Sequence, residues 1–378
     1  MSFFCHLPWT AAFAGEKLIT PCCAYTQSDR SKLDTFENYF QSQELAEVKA
    51  SLLNGQAPKQ CLGCVKNEAE TGHSFRLLHN KFHDEKTQEI FEKGNDHNIT
   101  MELQVLTSNT CNLLCLPCGG QASYARGVEL NKLGLSKRIS PHFKKNSILD
   151  DLYKFNFKHI TFLGGEPFGD KVTFECLETL VRHDKSKDIV LDLNTNCTLL
   201  DQKNLDFLSK NFKFVNIKAS IDGIGTVNDY LRYPSNWADL QSRVLLTRDY
   251  SNMNLMVTTA LSNLSLIKYH EIIEWAIDNQ IKDLFVTTVD YPKELAAGNL
   301  PTDIKNQLLE IYLNLKDHYS THQQSDRIGY VLDTCINICK SSNNAIFNQT
   351  MTWLQTHDQH RKNSVLEVFP ELRSYAQV

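Results

Sequence analysis

The chain has 378 residues, 42% hydrophobic and 22% charged, with a formal charge of −5 at pH 7. That is the profile of a soluble globular protein of two or three domains. The acidic balance argues against a nucleic-acid partner, and the one basic run, Lys137, Arg138, Lys144 and Lys145, has the character of a solvated face. No run of about 18 apolar residues occurs, so no membrane-spanning helix and no membrane partner are expected.

The first residues, MSFFCHLPWTAAFAG, carry no Lys or Arg ahead of their apolar part and are interrupted by Pro8. They do not read as a secretion signal, and a cytoplasmic location is expected. Residues 1 to about 98 hold Cys5, Cys22, Cys23, Cys61 and Cys64 in irregular polar sequence, with one clear helix at 43–54 that ends at Gly55. Twelve cysteines are many for a reducing compartment, where thiols are metal ligands or reactive groups rather than disulfides. Their spacing is clustered: Cys22–Cys23, Cys61-x2-Cys64 and Cys111-x3-Cys115-x2-Cys118. Ligands that converge on one small object are spaced like that.

From about residue 100 the pattern becomes strand, helix, strand. Strands are expected at 101–108, 158–164, 188–195, 212–220, 254–261 and 283–289, each short and rich in Val, Ile, Leu, Phe or Thr. Helices are expected between them at 172–183, 201–211, 238–250 and 267–279. Such alternation gives parallel strands joined by right-handed crossovers, here six units of an open or closed parallel barrel. After about residue 296 come helices and irregular segments suited to capping one end. In parallel α/β folds the chemistry gathers at the C-terminal ends of strands. The three cysteines follow the first strand and Gly164-Gly165-Glu166-Pro167 the second. Asn194-Thr195-Asn196 ends the third, and Ser220-Ile221-Asp222-Gly223 the fourth.

Cys111, Cys115 and Cys118 are one thiolate short of a closed site. Thiolates suit Fe–S clusters, zinc or Cu(I). Three of them around a four-iron cube leave one iron open, and an open position is where a small molecule binds. A zinc knuckle completed by a distant cysteine or histidine, such as His73 or His79, fits the spacing too.

The C-x3-C-x2-C loop after a first strand, with GGEP after a second, resembles the radical SAM superfamily over roughly residues 100 to 290. The resemblance implies an α/β fold: a partial (βα)6 parallel TIM-like barrel at 99–295, with a Cys-rich auxiliary-cluster region at 1–98 and a helical C-terminal cap at 296–378. It implies that Cys111, Cys115 and Cys118 hold a [4Fe–4S] cluster whose open iron chelates S-adenosylmethionine. One electron, from a flavodoxin- or ferredoxin-type donor, then cleaves the sulfonium to methionine and a 5′-deoxyadenosyl radical, which abstracts hydrogen from substrate. Gly164 and Gly165 would let the backbone approach a ligand, and Glu166 would accept from its ammonium group. Ser220 and Arg232 match a pattern for the methionine carboxylate; a surface salt bridge is the alternative for Arg232. Asn194 would meet the ribose or carboxylate, or simply cap the strand end. Pro117 departs from the aromatic residue usual before the last cysteine, which weakens the adenine contact.

The N-terminal pattern C-H-L-P-W…T-P-C-C…Q-C-L-G-C resembles the auxiliary-cluster half of twitch and SPASM domains, placed ahead of the barrel. Cys5, Cys61, Cys64 and one of Cys22 and Cys23 would close a second Fe–S cluster; a zinc site fits the same pattern. Cys335 and Cys339 share one helix face, as hydrogen-atom donors or as core residues. Cys176 reads as core, and Cys197 is left open.

Three functions follow. One is a radical SAM enzyme acting on a ribosomally made peptide or protein with help from an auxiliary cluster. The second keeps the chemistry as an oxidoreductase, a dehydrogenase of a small alcohol, amine or sugar. The third is a zinc-stabilised α/β binding protein.

Overall fold

The computed structural model describes residues 3–16, 18–26, 35–71, 74–82, 101–137, 139–143, 151–321, 325–341 and 346–376. His73, Arg138, Lys144 and Lys145 lie outside the described residues. The first elements are α1 (Leu7–Thr10), β1 (Ala11–Ala14), β2 (Ile19–Thr20), α2 (Phe36–Phe40), α3 (Gln43–Leu53), α4 (Leu62–Thr71) and α5 (Phe75–Phe82). Helix α3 is the one expected from the sequence. Ser42 caps it by accepting from the Leu45 N–H at 3.2 Å, and Gly55 leaves it at φ +72°. Its Leu45, Val48 and Leu52 are buried.

The alternating part follows: β3 (Met101–Leu106), α6 (Tyr124–Lys132), β4 (Phe157–Leu163), α7 (Lys171–Arg182), β5 (Val190–Thr195), α8 (Gln202–Asn211), β6 (Phe214–Ser220), α9 (Thr226–Leu231), α10 (Trp237–Leu245), β7 (Met253–Leu261), α11 (Asn263–Asp278) and β8 (Asp283–Thr288). Helix α11 begins four residues earlier than its apolar pattern suggests. Ser262 and Ser265 bond reciprocally across its first turn, a capping box with Ser where Glu or Gln is the usual cue. The chain then runs through α12 (Thr302–His318), α13 (Ser325–Lys340), α14 (Phe347–Arg361) and α15 (Val365–Val368).

Eight strands form one sheet in the order β2-β1-β3-β4-β5-β6-β7-β8. It is mostly parallel: β1 with β3, β3 with β4, β4 with β5 and β7 with β8 pair in parallel, and β1 with β2 antiparallel. The six expected strands are all present. Two more come from the N-terminal segment, where Ala11 to Ala14 register against Glu102 to Val105. The sequence AAFA hid β1, because it has neither a β-branched run nor an apolar–polar alternation.

The chain divides into two compact units, residues 1–108, 143–193 and 208–215, and residues 109–142, 194–207 and 216–378. In the first, Phe4, Cys5, Leu7, Trp9, Ala11, Val48 and Leu52 make one buried cluster. In the second, Tyr269 and Tyr312 are fully buried beside the apolar faces of α11 and α12. Among the described residues no helix is long and apolar enough to cross a membrane.

Candidate functional site

The cysteine loop belongs to the second unit. The peptide N–H groups on both sides of Cys115 are tied to the segment that carries Arg232: Leu114 N donates to Tyr233 O at 2.6 Å and Leu116 N to Leu231 O at 2.8 Å. A turn follows, closed by Cys118 N donating to Cys115 O at 3.1 Å. Cys115 is buried, and Cys111 and Cys118 are half-buried. The thiols of Cys115 and Cys118 hydrogen-bond, and Cys111 lies close enough to Cys118 to raise its pKa. Two N–H groups are directed at the Cys111 sulfur, from Leu113 N at 3.4 Å and Asn196 Nδ2 at 3.8 Å. Asn196 is held there by donating to Asn112 Oδ1 at 2.9 Å. Donors of this kind stabilise a thiolate rather than a thiol.

Arg232 supplies the charge. Its Nη1 donates to Asp222 Oδ2 at 2.7 Å, and Asp222 Oδ1 accepts from Ala260 N at 2.8 Å. Both side chains are buried, so the ion pair considered for Arg232 exists but is not on the surface. Burial works against the guanidinium charge, while Cys115, Asp222 and Cys118 hold it on. In return, the Cys118 hydrogen bond and then Arg232 draw Cys115 down to about 7, against burial; Cys118 is pushed up by the same bond. Arg232 Nε is buried with no protein partner, and so is Asn194 Oδ1. Ser220 ends β6, half-buried, two residues before Asp222. Three thiols, sulfur-directed amides and a buried cation with a donor to spare fit a three-thiolate cluster and an anionic ligand beside it.

The glycine-rich turn lies in the first unit. Gly164 has φ +139°, and a Cβ there would stand 2.6 Å from Ser108 O. Gly165 N donates to the same carbonyl at 3.0 Å. Glycine is therefore needed at 164 for the close passage of one strand end over another. Glu166 is buried and accepts from Phe168 N at 3.1 Å, capping the turn Pro167–Gly169.

The five N-terminal cysteines, also in the first unit, come together. Thr26 N donates to Gln60 O at 3.0 Å, which sets the Cys22–Cys23 segment beside the start of α4. Cys5 and Cys22 pack in one apolar cluster. Burial, then Cys61 and Cys64, push Cys5 up to about 12, with Arg76 opposing. Cys22 rises through burial and then through Cys5, Cys23 and Cys61; Cys23 rises through burial and then Cys64. Cys22 is half-buried and Cys23 exposed, and each has other cysteines of the group among its electrostatic neighbours. Among the described residues no group of three His, Cys, Asp or Glu side chains is placed to hold a metal ion. Anaerobic reconstitution should load about eight irons per chain, and Cys61→Ala/Cys64→Ala should load about four. Iron and acid-labile sulfide assays check this, and stoichiometric zinc in place of iron would refute it.

Cys335 and Cys339 lie on α13, the helix that packs with α12 and β8. Their electrostatic neighbours are Tyr269 and Tyr312 for Cys335 and Lys305 and Tyr312 for Cys339. Burial raises both thiols, Cys339 to about 11. Cys176 is buried on α7. Cys197 is buried at φ +59°, its N–H donating to Thr195 Oγ1 at 2.9 Å.

A buried network behind the cysteine loop has no signature in the sequence. Glu129 accepts from Arg126 Nη1, from Arg361 Nε at 2.9 Å and from Arg361 Nη2 at 2.8 Å. His357, one turn before Arg361, is buried against Arg126, Arg361 and Glu129. Its Nδ1–H donates to Trp353 O at 2.8 Å, and its Nε2 has no protein partner. Burial, then Arg126 and Arg361, lower its pKa to about 3. An unfolded His titrates near 6.5, so below that pH the unfolded chain binds the extra proton and stability falls. The contribution is fully present above about pH 6.5 and shrinks by about 1.4 kcal/mol per pH unit toward pH 3, or about 2 kcal/mol by pH 5. In urea titrations, His357→Gln should lose that slope relative to wild type; parallel pH profiles would contradict it.

No family model and no curated protein matches the chain. Solved structures do. The protein anSMEcpe with bound AdoMet is 18% identical, over 58% of this chain and 61% of its own, at a TM-score of 0.44. SuiB of Streptococcus suis bound to S-adenosylmethionine is 16% identical, over 73% of this chain and 64% of its own, at 0.42. The same SuiB bound to the precursor peptide SuiA scores 0.41 at 15% identity, over 73% of this chain and 64% of its own. The chain spans less than two thirds of either protein's length.

Proposed function

We propose that this is a radical SAM enzyme. Cys111, Cys115 and Cys118 would hold a [4Fe–4S] cluster, and the cysteines of the N-terminal segment an auxiliary Fe–S cluster. The substrate would be a peptide or protein side chain or backbone, as in the twitch and SPASM proteins that the N-terminal pattern resembles. The observation that carries the reading is the convergence of three thiols after a parallel strand, with two N–H groups aimed at one sulfur and the buried Arg232 beside the other two. When bound, the reduced cluster and S-adenosylmethionine supply a carbon radical able to take hydrogen from substrate.

The chain's own residues do the rest. The amides of Leu113 and Asn196, directed at the Cys111 sulfur, would stabilise it as a cluster ligand. Arg232, with Nε free of protein partners, orients a carboxylate, and Asn194 Oδ1 accepts from a ligand hydroxyl or ammonium group. Burial keeps water from the Cys115 sulfur. The test is anaerobic incubation with dithionite, S-adenosylmethionine and candidate peptides. Methionine and 5′-deoxyadenosine should form, and deuterium from a labelled peptide should appear in the 5′-deoxyadenosine. Label arriving only from a small alcohol, amine or sugar would move the substrate class, and a colourless protein that leaves S-adenosylmethionine intact would end the reading.

A further inference from the structure

We propose that the C-terminal helix α14 completes the cysteine-loop site, with Arg361, Arg126 and Glu129 as positioning residues that fix the loop around Cys115 and set the charge beside its sulfur. Arg361 Nη2 donates to the Leu114 carbonyl, and Arg126 Nη2 donates to the Leu116 carbonyl at 3.3 Å. These are the residues on either side of Cys115. Their N–H groups are already taken by Tyr233 and Leu231, so the backbone flanking the central cysteine is pinned through donors and acceptors alike. One carboxylate, Glu129, locks both guanidiniums in place. Arg361 is the last residue of α14, so the loop takes one of its anchors from 247 positions further along the chain.

Glu129 faces both guanidiniums, and Asp358, which accepts from Tyr230 Oη at 2.8 Å and Val365 N at 2.7 Å, is a second carboxylate that feels Arg361. Arg361 lies close enough to Cys115 to lower its pKa. A buried Arg–Glu–Arg set gives little net stability, because desolvation offsets the attraction. What it does give is fixed geometry and a directed field. Adding an electron to a cluster on the three thiolates would add negative charge, so the Arg361 guanidinium near Cys115 would favour the reduced form.

This inference rests on the proposed cluster at Cys111, Cys115 and Cys118. The experiment uses the full chain, loaded anaerobically with iron and sulfide, and follows by EPR the signal that S-adenosylmethionine perturbs. Arg361→Gln should shift the midpoint potential to more negative values, and Glu129→Gln to more positive ones. Arg361→Lys should keep the potential near wild type. Arg361→Gln and Arg361→Lys should both lose iron to a chelator about 10- to 100-fold more readily, because neither keeps the two-pronged grip on Glu129. A purely structural role would move Arg361→Gln and Glu129→Gln in the same direction or not at all, and that result overturns the proposal. A second measurement needs no variant. Loading wild-type protein should slow amide hydrogen exchange in the last turn of α14, and unchanged exchange there would also overturn it. Wild-type protein that takes up no iron would defeat the cluster reading itself, a different outcome from iron-loaded protein whose α14 is indifferent.

Discussion

Cys115→Ala should reduce S-adenosylmethionine cleavage to background while the far-UV circular dichroism of the chain is unchanged. Cys115 is the cysteine with the most support: its flanking peptides are tied through four hydrogen bonds, its thiol meets that of Cys118, and Arg232 and Arg361 stabilise its ionised form. Alanine keeps all the backbone bonds, so the loop should keep its path. The side chain lost is small and sits beside polar groups, so the cavity term is modest. The chemical loss is complete, because two thiolates do not hold a four-iron cube. Iron should fall by about four per chain with the N-terminal complement intact. Retained cleavage would show that the ligands are assigned wrongly.

Arg232→Ala should lower both stability and cofactor binding, and the two losses should separate. Removing the guanidinium leaves the Asp222 carboxylate buried with only the Ala260 N–H for company. Stranding one member of a buried pair costs about 3–5 kcal/mol. Asp222→Asn in the same chain removes the uncompensated charge while keeping an acceptor for Ala260, so the double variant should regain much of the melting temperature. It should not regain S-adenosylmethionine affinity, because the buried Nε and the charge beside Cys115 and Cys118 are still missing. Affinity that returns together with stability would reduce Arg232 to a structural partner of Asp222.

The parts of this molecule that were legible in the sequence are those whose cause is local. The runs around 158–164 and 254–261 became β4 and β7 because apolar and β-branched residues sit at strand spacing. The cysteine spacing announced a convergent site because all three ligands lie within eight residues. The sequence points to Asn194 for the ligand role, while it is the Asn196 amide that points at Cys111. Asn194 lies on β5 and Asn196 just beyond its end at Thr195, a boundary that the sequence does not mark. Asp222 has no role legible in the sequence, since an Asp ten positions before an Arg predicts no contact. The Arg126–Glu129–Arg361 network was invisible for a stronger reason. Its long-range bonds join residues 232 and 247 positions apart, and no window of sequence contains both partners.

Strand β1 bears on how the N-terminal cysteines can be removed for study. Cys5 stands six residues before a segment hydrogen-bonded along β3, and β2 covers the outer edge of β1. A truncation starting after residue 20 would delete Cys5, one of the proposed ligands, and also peel away two outer strands, leaving β3 with a bare rim of unpaired amides and carbonyls. Such rims recruit other chains. Shortened versions of this protein should therefore precipitate where point substitutions of the same thiols stay in solution, and insolubility on trimming would say nothing about iron.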